Sequence, residues 1–133
     1  AGGLDAALPG GMSVADQLAH VNNVRVRWTR NADAAIGEGL VWFEKTDPRD
    51  SVHLEKALIL SGNAIGALIR NCAGAGTGVK DFPGSVTIFI GYLISHESHH
   101  RGQILLTLKG SDKPLGREAT MDLWRRWWGR EAT

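Results

Sequence analysis

Five histidines are the residues of this sequence best suited to chemistry: His20, His53, His96, His99 and His100. On a helix, at about 100° per residue, His96 and His100 stand one turn apart and roughly 40° around the same face, so both rings reach a common ion. Imidazole suits Zn, Ni, Fe or Cu, and a pair of histidines needs at least one further ligand from elsewhere in the fold. His20 is the natural third ligand, because it falls in the middle of another long helical segment and the facing helices of a bundle bring ligands together. Tyr92 and Gln103 lie on or near the His96 face and extend it into a polar stripe along an otherwise apolar segment. With Glu97 they are the candidate catalytic side chains. His53 is expected to be an ordinary surface or core histidine, and His99 to orient or flank the site.

Two chemistries compete for the string His96-Glu97-Ser98-His99-His100. It satisfies HExxH, in which Glu97 would be the general base of a metalloprotease. The metzincin extension fails, since Gly102 stands one place early and no His follows it; Glu118 is the only tempting downstream ligand. The chain also lacks a strand pattern that would hold an extended peptide by edge addition. Glu97 has a structural role open to it as well, an ion pair with Arg101 four residues on. Three protein ligands would leave a coordination position open, and an open metal either holds a thiol as thiolate or lowers the pKa of bound water to about 7.

The elements that must position these residues read as helices. Ser13 and Asp16 form a capping arrangement, and Val14, Leu18, Val21, Val24 and Trp28 recur at three- and four-residue intervals. They predict a first helix from Ser13 to Ala35, with continuation to Phe43 left open. The turn Asp47 to Asp50 opens a second helix, Ser51 to Asn71, whose apolar positions include Leu54, Ala57, Leu58, Ile65, Leu68 and Ile69. Within it Gly62 and Gly66, four apart, would permit close helix packing. A Gly-rich loop follows, ended by Pro83 and Gly84; its GAGTG run, Gly74 to Gly78, lacks P-loop spacing and reads as a flexible surface loop. The third helix, Ser85 to Lys109, begins with a β-prone stretch, but its length decides for helix. A short aromatic helix with Met121, Leu123, Trp124, Trp127 and Trp128 closes the chain, with Arg125, Arg126 and Arg130 outside. Its tryptophans are expected in a core or a subunit contact.

The run HESHHRGQI, His96 to Ile104, resembles the signature of the DinB-like (DinB/YfiT) superfamily, and SVADQLAHVNNVRVRW resembles its upstream His-bearing helix. The likeness covers Ser13 to Trp128 in organisation, with the motif weight on these two stretches. It implies an all-α, up-and-down four-helix bundle and a mononuclear divalent-metal site of His20, His96 and His100, with zinc or nickel as the expected ion. It further implies a low-molecular-weight thiol as cosubstrate, S-transfer onto a small-molecule substrate, and a homodimer. Members generally carry a helix before the one bearing the first His. Here 12 Gly-rich residues precede Ser13, so that helix is absent or another element or subunit takes its place.

Composition bounds the remaining classes. With 133 residues, 43% hydrophobic and 22% charged, one globular domain over residues 13 to 133 is expected after the N-terminal segment 1 to 12. Fifteen Lys and Arg against 14 Asp and Glu leave a net charge of +1, which argues against nucleic acid as the main partner. The single cysteine, Cys72, excludes an intramolecular disulfide and Cys-rich metal sites and fits a reducing cytoplasm. The longest apolar run noted, Val86 to Ile94, is far short of a bilayer span, so no membrane is expected, and the N-terminus does not read as a signal peptide. A non-enzymatic metal-binding or stress-response protein is the alternative outside catalysis.

Overall fold

The computed structural model describes residues 2 to 125, and among them it is all-helical: α1 (Val14–Ala32), α2 (Ser51–Ala75), α3 (Val86–Gly110) and α4 (Arg117–Arg125), with no strand. Trp127, Trp128, Arg126 and Arg130 lie outside the described residues. α1 packs against both α2 and α3, and α2 against α3.

The start of α1 shows why a Gly-rich leader can precede a stable helix. The first N–H groups of a helix have no partner within it. Here Val14 N donates to Ala6 O, Ala15 N to Leu4 O and Asp16 N to the Ser13 hydroxyl, at 2.9, 2.9 and 3.0 Å. The N-terminal segment is therefore an irregular cap, with Ala6 buried against Val14 and Leu108. α2 is capped by Asp50, whose carboxylate accepts from the His53 backbone N–H and meets the His53 ring at 2.6 Å. The His53 backbone bond first, and the ring second, hold the Asp50 carboxyl below the usual carboxylate range.

α1 does not continue toward Phe43. It stops at Ala32, where Asp33 leaves helical geometry and its side chain accepts from Ile36 N. The chain then turns back along α1, held by two asparagines: Asn22 donates to Val41 O, while Asn23 donates to Phe43 O and accepts from Phe43 N, at 2.7, 2.9 and 2.9 Å. Asn23 thus does for Phe43 what a neighbouring strand would do. Phe43 is buried with Ala15, Ala19, Leu54 and Ala57.

α2 outlasts its expected end at Asn71 by a turn, through Ala75, and stops at Gly76 in the left-handed region, φ 66°. That conformation suits a residue without Cβ. Gly78 has a different reason to be small: a Cβ there would sit 2.2 Å from Gly84 O, so two loop segments cross at a distance only glycine tolerates. The buried line of α2 is Leu54, Ala57, Ser61, Ala64, Ile65 and Leu68, a helical stripe whose small members bring α1 close. The close packing thus falls to these residues. Gly62 instead sits beside the Arg25 guanidinium and Gly66 beside its own helix's Arg70.

By length and composition α2, and not the apolar start of α3, is the one described helix apolar enough to cross a membrane. With 33% of that stretch buried, α2 supplies the core stripe just described. α4 has no buried residue. Leu123 reaches a groove walled by α1, α2 and α3, while Trp124 is 49% exposed with Arg101 over its ring at 5.6 Å, so of the core and the subunit contact expected for it the core is ruled out.

Candidate metal centre

On α3 the buried residues are Phe89, Leu93, His100, Thr107 and Leu108. His96, half-buried, continues the same line between Leu93 and His100. Spacings of three, four and seven put Phe89, Leu93, His96, His100 and Thr107 on one face. The histidines therefore occupy what would be core positions, the polar middle of an otherwise apolar stripe that faces α1. His20 on α1 stands opposite them.

The three side chains converge. A ligand nitrogen from each of His20, His96 and His100 lies within 4.8 Å of the others, and His96 Nε2 is 3.3 Å from His20 Nε2. Ring centroids are 5.3 Å apart for His20 and His96, and 4.7 Å for His100 with either. Two nitrogens bound tetrahedrally at about 2.0–2.1 Å from one ion lie roughly 3.3–3.4 Å apart, so the His20–His96 edge already has the required length. This cluster could hold a metal ion.

Its electrostatics suit the purpose. Burial first, then the neighbouring His96, His20 and His99, push the His100 imidazole down to about 4. Burial and then His20 also lower His96, against a smaller opposing pull from Glu97. Both rings are thus neutral near pH 7, the form that offers a lone pair to a cation. Buried polar atoms normally have partners, yet Nδ1 of His96 and Nδ1 of His100 are buried with none. Three crowded imidazoles, two of them with orphaned nitrogens and held below the usual histidine range, are chemically matched to a borderline-soft divalent cation.

The residues around the cluster divide by face. Tyr92 stacks on His96, centroids 5.9 Å apart at 19°, and its hydroxyl accepts from Trp28 Nε1 at 3.1 Å; it braces the ring. His99 is exposed and meets His100 edge-on at 5.1 Å, a flanking position. Gln103 is exposed. His53 remains on the first turn of α2, outside the cluster.

Glu97 is where sequence and structure part. The ion pair with Arg101 is not formed: Glu97 instead takes a two-pronged pair from Arg25, Nε to Oε1 at 2.6 Å and Nη2 to Oε2 at 2.7 Å. Arg25 Nη1 also donates to Leu58 O at 3.1 Å, so one guanidinium ties α1 to α2 and α3. Glu97 lines the apolar groove with Leu58, Ile65 and Leu93, about 100° around α3 from His96. Nothing local in the sequence signals Arg25, 72 positions from its partner. Nor does it signal Lys45 and Arg49, which with His20 border a recess on the outer side of the cluster.

Comparison of the chain with protein-family models, with curated proteins and with solved structures returns no match.

Proposed function

We propose that the chain is a divalent-metal-dependent protein of the DinB-like kind that uses His20, His96 and His100 to activate a low-molecular-weight thiol for S-transfer onto a small electrophile. The observation that carries this reading is the convergence of three histidine nitrogens within 4.8 Å, with two of the rings neutral at physiological pH. The likeness of HESHHRGQI and SVADQLAHVNNVRVRW to the DinB-like signature supports it. Zinc and nickel are the ions the imidazole donor set favours within that reading.

A divalent cation held by His20, His96 and His100 would supply the positive charge that keeps a thiol deprotonated at neutral pH. The chain's own residues do the rest. His96 and His100, depleted of protons, do not quench the thiolate; the thiol proton leaves to solvent. Tyr92 and Trp28 hold the His96 ring in place. The sulfur then forms a bond to the electrophilic carbon as the leaving group departs with its electron pair.

The hydrolase reading needs a free carboxylate beside the metal, and Glu97 is held by Arg25 on another face. The test is metal analysis of the purified protein followed by turnover with several thiols and an alkylating or aryl halide electrophile. Stoichiometric metal with thiol-dependent turnover that survives Glu97→Gln is the expected result. Peptide hydrolysis that vanishes with Glu97→Gln would overturn the proposal in favour of the metalloprotease.

A further inference from the structure

The recess beside His20 carries charge that the cluster itself does not use. Asp16, His20 and Asn23, spaced four and three apart, share one face of α1. The returning chain, pinned by Asn23 at Phe43, brings Lys45 and Arg49 over that face. Together with Met12 these side chains enclose about 510 Å³ of open space, within the size range of small-molecule sites.

Two of the charges are already committed. Both terminal nitrogens of Arg49 donate to backbone, Nη1 to Lys45 O at 2.8 Å and Nη2 to Glu44 O at 2.7 Å, and its Nε lies 3.5 Å from Asp16 Oδ1. That Nε is buried without a hydrogen bond. Arg49 and Asp16 largely offset one another, and Arg49 clamps the backbone on which Lys45 stands. Lys45 is exposed, and its ammonium forms no ion pair among the described residues. The recess is bordered by His20 of the cluster and by an uncommitted ammonium, and its one carboxylate, Asp16, is set against Arg49, so it keeps one positive charge in excess.

Resting on the thiol reading above, we infer that this recess is a carboxylate subsite: the thiol carries a carboxylate group, which Lys45 recognises while the sulfur reaches the histidine cluster. Arg49 is a positioning residue for Lys45. A thiol without a negative charge fits the centre but leaves Lys45 unpaired.

The experiment uses the cobalt(II)-loaded protein, in which a sulfur-to-cobalt absorption band reports thiolate at the centre without any turnover. 3-Mercaptopropionate and 1-propanethiol are titrated in parallel. A single partly exposed charge pair is worth about fivefold in affinity, so 3-mercaptopropionate should bind about fivefold more tightly. Lys45→Gln should erase that preference while leaving cobalt stoichiometry and 1-propanethiol affinity unchanged. Equal binding of the two thiols, or a preference that survives Lys45→Gln, overturns the subsite. If neither thiol produces the band, the thiol reading fails, and the recess is decided separately on the metal-free protein. There, succinate should shift amide resonances around Lys45 and Arg49 in a Lys45-dependent manner and neutral succinamide should not; identical responses to the two overturn it.

Discussion

His96 and Glu97 are neighbours in sequence, and the helix turns them toward regions with opposite rules. The His96 face of α3 joins His20 and His100 in a cluster where burial strips protons and leaves ring nitrogens without partners. The Glu97 face opens on a groove of about 610 Å³ lined mainly by Leu and Ile, in which the Arg25–Glu97 pair is matched through two hydrogen bonds. Polar groups left short of partners are expected where a ligand completes them, and fully matched ones where they specify packing. The difference between the two faces separates binding from architecture on a single helix turn.

The largest expected effect falls on the first face. His20→Ala, His96→Ala or His100→Ala should each weaken metal binding at least about 100-fold, read by competition with a chelating dye, whereas His53→Ala should leave it unchanged. A His20→Ala protein with native affinity would remove α1 from the centre and dissolve the contrast.

The same face should respond to acid. In the unfolded chain His100 titrates near about 6.5, but in the folded protein at about 4, so the unfolded state takes up the proton first. Stability of the metal-free protein should be intact above about pH 6.5 and fall as pH drops through the window down to about 4. The loss is on the order of 2–3 kcal/mol, measured by urea unfolding across pH. His100→Leu should flatten this part of the profile; an unchanged profile would mean that the ring is not desolvated.

The second face should fail differently. Arg25→Ala leaves a partly buried carboxylate unpaired and frees Leu58 O, at a cost of about 1–3 kcal/mol, while Glu97→Gln, which keeps hydrogen-bond acceptors and space, should cost about 1 kcal/mol. Neither should alter metal stoichiometry. Loss of metal in Glu97→Gln would join the two faces into one site.

The smallest effect is local. Asn23→Ala removes both bonds to the Phe43 backbone and should destabilise by about 1–2 kcal/mol, with the change in proton exchange concentrated at the Phe43 amide.

How far the sequence carried this picture follows from the reach of its signals. The three long helices were legible because their apolar residues recur at three and four, and Ser13 and Asp50 cap them by local chemistry. The histidine cluster was legible because two of its members share one helix face and the third sits inside a helix. The end of α1 was not, since Asp33 and the clasp of Asn22 and Asn23 on residues 41 to 43 compete with a periodicity that nominally runs on. Arg101 was the only partner that helical spacing could offer Glu97, whereas Arg25 becomes its partner only through tertiary packing. Trp124 carried an aromatic signal for a core or a subunit contact, and α4 places it outside the core, against Arg101 at the surface.

The links between α1 and α3 also set an order of events during folding. His20 and His96 are 76 positions apart, Arg25 and Glu97 72, and Trp28 and Tyr92 64, so none of these links exists until the chain has closed a loop containing all of α2. Loop closure is slow to be repaid, and contacts that depend on it belong to the late side of the folding barrier. α1 and α2, joined by the short return through Phe43, can pair first, with α3 docking onto them afterwards. Substitutions at Arg25 and Glu97 should then accelerate unfolding while hardly slowing refolding, which makes the native lifetime of this protein a property of how firmly its third helix stays latched to its first.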